Sequence, residues 1–177
     1  SGATALGIGA AEGIAGMSSA FTWQQTFFGQ IPGSIGETST FLILLAGAYL
    51  VYTKIASWRI IFGTLIGMMV TSELLRFIGS DTNPMFSVPW YWHLTIGGFA
   101  FGMIFMATEP VTAASTNKGR WIYGLSIGVI AVLIRVVNPA FPEGMMLAIL
   151  FANLLAPAID FAVTTNQTNK RMQRYNS

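Results

Sequence analysis

The chain contains no cysteine and a single histidine, His93. The absence of cysteine excludes a disulfide framework, a thiolate zinc site and an iron–sulfur cluster held by this chain. One histidine argues against a metal or haem site built from histidines. Charged residues are also scarce, at 9% of 177 residues, whereas a soluble domain carries about a quarter.

Apolar residues make up 53% of the chain, and the mean hydropathy is +0.60. A soluble domain of this size cannot hide so much apolar surface, but a lipid bilayer can accept it. The nine basic residues are dispersed and mostly flank apolar runs. That arrangement indicates membrane orientation rather than nucleic-acid binding. The chain begins at Ser1 without Met or a signal peptide, so we expect further residues upstream.

The sequence predicts an all-α polytopic membrane protein with three parts. Residues 1–35 are small, Gly/Ala-rich and not apolar enough to span, residues 36–165 hold five transmembrane helices, and residues 166–177 form a basic tail. At about 1.5 Å per residue, each apolar run is long enough to cross roughly 30 Å of hydrocarbon. The predicted spans are 39–55, 58–78, 90–108, 121–137 and 145–164.

The distribution of basic residues predicts the orientation. Seven of the nine lie on the side of the C-terminal tail, and the other two are Arg76 and Arg135. The positive-inside rule therefore predicts a cytoplasmic tail and an N-terminal segment on the outer, periplasmic side. Aromatic residues at the span ends agree with these boundaries. The Trp-Tyr-Trp-His cluster at 90–93 is interpreted as such an interfacial belt, with a quinone or flavin contact as the alternative.

Acidic side chains in or beside the predicted spans are candidates for function, because a charge at mid-membrane costs about 2.5–3.5 kcal/mol unless it has a partner or a wet path. Glu73 has Arg76 at i+3, which indicates a structural pair. Asp160 has only Thr164 as a polar companion on its helix face, and Glu109 ends the third span. Carboxylates suit a hard cation such as sodium, so we expect Asp160 and Glu109 at the cytoplasmic end of a cation path.

Two segments on the predicted outer side are alike. Each places a Pro/Gly turn and a glutamate, Glu37 or Glu143, just before a predicted span. One interpretation is a carboxylate at the positive end of a helix dipole. The other is a pair of short or broken helices beside a permeation path, as inverted-repeat transporters have. In the second case Glu37 and Glu143 offer the ion an exit.

Ser-Gly-Ala-Thr at positions 1–4 opens the chain. By itself this string predicts a turn with Thr4 as a helix N-cap, although small neighbours also leave the hydroxyl open to a phosphate ester. The string resembles the flavinylation motif of the B and C subunits of bacterial sodium-translocating NADH:quinone oxidoreductases. The rest resembles the B-subunit family, through the stretches 33–40, 52–61, 93–114, 118–124 and 135–157.

The resemblance implies that Thr4 carries FMN through its phosphate. It implies a urea-transporter-like fold of ten spans in two inverted halves, of which this chain is the second. It also implies a riboflavin in the complete subunit, attachment of FMN by a periplasmic FMN transferase, and electron transfer towards quinone coupled to sodium export. NADH oxidation, FAD and iron–sulfur centres belong to other subunits of that complex.

Two alternatives remain at this stage. The D-type subunit of the related Rnf complex shares Ser-Gly-Ala-Thr, the Thr-Glu-Pro-Val element at 108–111 and Pro-Glu-Gly at 142–144. A non-redox channel of the same fold would leave Thr4 unmodified. A purely structural anchor fits poorly with acids inside spans.

Overall fold

The computed structural model describes residues 4–138 and 143–175. Within these residues the regular structure is helical, as the composition predicts, and a 3₁₀ turn lies at Pro84–Ser87. The α-helices are α1 (Ala5–Ala20), α2 (Trp23–Phe28), α3 (Thr40–Tyr52), α4 (Trp58–Ile78), α5 (Trp90–Thr95), α6 (Phe99–Phe101, continued by a π-helical turn at Gly102–Met106), α7 (Asn117–Val137) and α8 (Met145–Tyr175).

Three of these helices are long and apolar enough to cross a membrane. They are Trp58–Ile78, Asn117–Val137 and Met145–Arg174. The α4 helix has the bounds that the sequence predicts. The α3 helix has 13 residues, fewer than the predicted span 39–55. The α8 helix continues to Tyr175 through most of the predicted polar tail, of which the last two residues lie outside the described part.

The third predicted span, 90–108, is not one helix. The α5 helix ends at Thr95, Ile96 is extended, and Gly97 has φ +62° before α6 begins at Phe99. Few residues other than glycine adopt that conformation. A side chain at Gly97 would also collide with Glu143. The backbone therefore breaks inside an apolar run that hydropathy alone predicts as continuous.

The α4 and α7 helices pack backbone against backbone. Each carries two glycines four residues apart on the shared face, the small-xxx-small pattern that lets membrane helices approach closely. A Cβ on Gly67 would lie 2.5 Å from the carbonyl oxygen of Leu125, and one on Gly128 would collide with that of Thr64. The four glycines are Gly63, Gly67, Gly124 and Gly128. This contact is the centre of the bundle.

The N-terminal segment folds onto that bundle. The α1 helix kinks at Gly13, and the backbone N–H of Ile14 donates to Ser87 Oγ at 3.3 Å. Leu6 and Met17 are buried in the core. This packing holds the start of α1, and Thr4 before it, against the rest of the chain.

Candidate functional site

Arg135 of α7 lies at the break in the third predicted span. Its side chain is fully buried and donates to the carbonyl oxygens of His93 at 2.7 Å and of Ile96 at 3.1 Å. These carbonyls lie at the end of α5, where the break removes their helical partners. Arg135 also pairs with Glu143 at 3.5 Å. The sequence indicates Arg135 only as a charge on the outer side, and gives no signal of this role.

Glu37 and Glu143 both lie beside Gly98, in the same break. Glu143 Oε2 accepts a hydrogen bond from the backbone N–H of Gly98 at 3.1 Å. A Cβ on Gly98 would lie 2.8 Å from Glu37 Oε2 and 3.8 Å from Glu143 Oε1, so both carboxylates approach Gly98. Glu37 also accepts from the backbone N–H of Ser34 at 3.3 Å.

A broken helix lies near the two glutamates, but the break is in the third predicted span and not in the segments that carry them, so the broken-helix interpretation of those segments stays a prediction. The side-chain cap of α3 is Ser39, which accepts from Leu42, while Glu37 bonds within its own turn. Glu143 is engaged by Gly98 and Arg135. The broken helix belongs to the third predicted span, and the acids reach it from outside. The Pro/Gly turn predicted before Glu143 falls on residues 139–142, which lie outside the described residues.

Thr4 lies at the edge of a pocket beside these acids. The pocket has a volume of about 320 Å³, and its lining includes Thr4, Glu37, Thr38, Gly97 and Glu143. The sequence patterns indicate the threonine and the two glutamates as separate features. The fold brings them together because α1 packs across the bundle, a long-range contact that no local pattern signals.

Thr4 is the N-cap of α1, as its sequence context alone predicts. Its Oγ1 accepts from the backbone N–H of Gly7 at 3.2 Å, and the residue is exposed. A phosphoester oxygen keeps a lone pair for this bond, so capping and esterification are compatible. A phosphate there would face the positive end of the helical segment that runs from Ala5 to the kink at Gly13, a favourable place for an anion. The first three motif residues, Ser1, Gly2 and Ala3, lie outside the described part.

Asp160 on α8 anchors the segment that precedes α7. Its carboxylate accepts from the backbone N–H groups of Ser115 at 2.6 Å and Thr116 at 3.0 Å. It also accepts from the hydroxyls of Ser115 at 2.9 Å and Thr116 at 2.6 Å. Thr164, the companion that the sequence suggests, bonds instead to the backbone carbonyls of Asp160 and Phe161.

Glu109 folds the same segment at its other end. It accepts from the hydroxyl of Thr112 at 2.6 Å and from the backbone N–H groups of Val111 and Thr112 at 2.9 Å. The Thr112 hydroxyl bond, followed by those two backbone bonds, lowers the pKa of Glu109, so this carboxylate stays ionised at neutral pH. Glu109 and Asp160 thus hold one oxygen-rich loop, 109–116, through separate hydrogen bonds.

Two further predictions concern charge and aromatic residues. Glu73 and Arg76 form the predicted i, i+3 pair at 3.6 Å, with both side chains about half exposed, which confirms the pairing. Trp92 and His93 are buried in the core, whereas Tyr91 is partly exposed, so half of the predicted aromatic belt faces inward. No group of three or more His, Asp or Glu side chains in the described ranges is placed to hold a metal ion.

Known proteins are similar to this chain over the range that contains these sites. The family described as the NQR2, RnfD, RnfE family matches residues 1–169. The B-subunit of the Na(+)-translocating NADH-quinone reductase of Stutzerimonas stutzeri is 60% identical over 174 residues, which are 98% of this chain and 43% of that protein. The protein of the same name from Neisseria meningitidis serogroup A is 59% identical, over 99% of this chain and 44% of its own length.

The chain therefore spans less than half the length of these relatives and matches their C-terminal half. The range that the family model matches includes the Ser-Gly-Ala-Thr string, the broken α5–α6 segment, Asp160, Glu37 and Glu143. The chain belongs to the NQR2, RnfD, RnfE family.

Proposed function

We propose that this chain is the C-terminal half of a membrane subunit of a sodium-translocating NADH-quinone reductase. In this role it carries covalent FMN and passes electrons towards quinone while sodium is exported. The similarity to B subunits of that reductase supports the proposal that this chain belongs to the same enzyme complex. The observation that carries the proposal is the exposed Thr4 hydroxyl at a helix N-terminus, beside a pocket that two carboxylates border.

Thr4 would hold FMN through a phosphoester at Oγ1. The α1 N-terminus would stabilise the phosphate, and the pocket of about 320 Å³ lies next to the attachment point. When bound, the flavin supplies one-electron and two-electron transfer, which no side chain of this chain supplies. Arg135 compensates the charge of Glu143, which reduces repulsion between the pocket and the phosphate. Riboflavin and much of any quinone site would depend on the other half of the subunit.

Sodium would enter at the loop 109–116, where Asp160 and Glu109 lie. Carboxylates and the hydroxyls of Thr112, Ser115 and Thr116 offer the oxygen ligands that a hard cation prefers. The hydroxyls here donate to the carboxylates. A hydroxyl that rotates away would offer a lone pair to the ion, while the backbone N–H bonds would hold the carboxylate in place. Glu37 and Glu143 would lie at the exit.

The proposed topology has five spans with the tail in the cytoplasm. The broken α5–α6 segment would supply the third span, because irregular backbone is tolerated at membrane depth where it is buried in protein or lines a cavity. Arg135 and Glu143 hydrogen-bond the backbone groups that the break exposes. Such a break agrees with the discontinuous helices of inverted-repeat transporters. The urea-transporter-like pairing with the missing half is part of this proposal.

The attachment site is tested by two substitutions in the full-length subunit. Thr4→Asn keeps a good N-cap but has no hydroxyl, so covalent flavin fluorescence of the denatured subunit should disappear while membrane insertion persists. Thr38→Ala removes a hydroxyl from the same pocket and should leave the fluorescence unchanged. Covalent flavin that persists in Thr4→Asn would exclude Thr4 as the attachment point. An unmodified wild-type subunit would favour the non-redox channel.

A further inference from the structure

A second and larger pocket opens at the opposite region of the bundle from Thr4. Its volume is about 590 Å³, and it lies where α3 ends and α4 and α7 begin. Three cationic side chains line it, Lys54, Arg59 and Arg120, and none of the described residues that line it is Asp or Glu. The charged side chains of this pocket are therefore all positive.

The three cations have no acidic partner among the described residues. The ion pairs within the described residues are Glu73–Arg76 and Arg135–Glu143, and neither includes one of the three cations. Arg59 stacks over the Trp58 ring at 4.8 Å. Arg120 Nε donates to the carbonyl oxygen of Ala114 at 3.3 Å, and its terminal nitrogens make no hydrogen bond within residues 4–138 and 143–175. An anion that enters the pocket would meet uncompensated donors.

The backbone around Lys54 and at the start of α4 has a defined conformation beside the pocket. Lys54 has φ +61°, a left-handed conformation that non-glycine residues seldom adopt. Its turn is closed because the N–H groups of Ile55 and Ala56 both donate to the Leu50 carbonyl at 3.0 and 3.1 Å. The N-cap of α4, Ser57, makes no side-chain cap bond, and its Oγ is buried without a partner among the described residues. The positive end of a 21-residue helix thus contributes to the pocket.

The pocket lies at one end of the α4–α7 pair. The α4 and α7 helices are both long enough to span, and their N-terminal ends meet there. Apolar side chains beside it are strongly exposed: Tyr52 by 85%, Ile55 by 65% and Trp58 by 43%. Trp58 packs edge-to-face on Trp121 at 5.7 Å, and tryptophan prefers the headgroup level of a bilayer. Cationic and apolar surfaces are therefore adjacent.

We propose that this pocket binds the phosphate of an anionic membrane phospholipid. Lys54, Arg59 and Arg120 bind the phosphate, and the exposed rim of Tyr52 and Ile55 contacts the acyl chains. A soluble phosphate would use the cations alone and leave the apolar rim in water. The mixed surface therefore favours a lipid, and it does so independently of the flavin at Thr4.

The test uses the full-length subunit in its purified, detergent-solubilised complex and spin-labelled phosphatidylglycerol as the probe. Phosphatidylglycerol should bind more tightly than equally labelled phosphatidylcholine. The Arg59→Gln/Arg120→Gln variant should weaken phosphatidylglycerol binding about 30-fold, because each basic residue at an anionic membrane surface contributes about 1 kcal/mol, or about 5-fold in affinity. Phosphatidylcholine binding should not change.

Two matched variants separate charge in the pocket from charge nearby. Lys118→Gln removes an exposed cation from the same first turn of α7 but outside the pocket, so phosphatidylglycerol binding should be unchanged. Arg59→Lys/Arg120→Lys keeps both charges and should retain most of the affinity. Equal binding of the two lipids, or an equal loss in Lys118→Gln, would overturn the proposal. Displacement of the labelled lipid by millimolar inorganic phosphate would also overturn it and assign the pocket to a soluble anion.

Discussion

Arg135→Met is expected to destabilise the folded subunit, because the break in the third predicted span depends on the Arg135 guanidinium. Methionine fills a similar volume but donates no hydrogen bond. The buried carbonyls of His93 and Ile96 would lose donors at 2.7 and 3.1 Å, and Glu143 would lose its counterion at 3.5 Å. Hydrogen bonds to a charged group contribute about 1.5–3 kcal/mol each.

Removal of one partner from a buried ion pair costs about 3–5 kcal/mol. Glu143 is 38% exposed, so water partly replaces the lost cation. Arg135→Met should therefore lower the free energy of unfolding by about 3 kcal/mol, the lower value of that range. The measurement is the free energy of unfolding of the full-length subunit in mixed micelles, followed by circular dichroism during titration with SDS. Arg135→Met/Glu143→Gln should recover part of the loss, since it leaves no uncompensated charge.

Arg76→Met is the matched control. It makes the same substitution in the exposed Glu73–Arg76 pair at 3.6 Å, and exposed pairs contribute about 0–1 kcal/mol. If Arg135→Met cost no more than Arg76→Met, the guanidinium would not support the break at the α5–α6 junction.

Three further predictions concern packing, ion dependence and topology. Gly128→Ala should destabilise the subunit by about 1–3 kcal/mol, because the new methyl group would collide with the Thr64 carbonyl on α4; an unchanged unfolding midpoint would exclude the close contact. Asp160→Asn should raise the sodium concentration for half-maximal turnover of the complex while covalent flavin is unchanged, since the amide keeps the volume and removes the charge. Sodium dependence equal to wild type would make Asp160 purely structural. Reporter fusions near Ser57 should be cytoplasmic and those near Asp81 periplasmic, and both positions on one side would contradict the topology.

Local signals in the sequence predict only some parts of the fold. The α4 helix begins after Ser57 and ends before Gly79. The apolar run between these two residues is enough to predict both ends of the helix. The break at Gly97 was not predicted, because glycine is also common inside unbroken membrane helices. What distinguishes Gly97 is the pair Arg135 and Glu143, which reach the break from 39 and 45 positions away.

In the candidate sites, too, local features could be predicted from the sequence and long-range contacts could not. Thr4 could be predicted as an N-cap from its local context, and the structure confirms this, whereas the flavin at Thr4 stays a prediction. The partners of Asp160 could not be predicted, because Ser115 and Thr116 are 45 and 44 positions away and reach it only when α8 packs against α7. The pocket that joins Thr4 to Glu37 likewise depends on tertiary packing.

Covalent attachment of a flavin nucleotide at Thr4 is the central claim. Intact mass spectrometry of the purified full-length subunit, followed by fragmentation of the peptide that contains Thr4, tests it most directly. We expect a mass increase of one FMN less one water, located on Thr4. A full-length subunit at its unmodified mass, or the flavin on another residue, would contradict the claim.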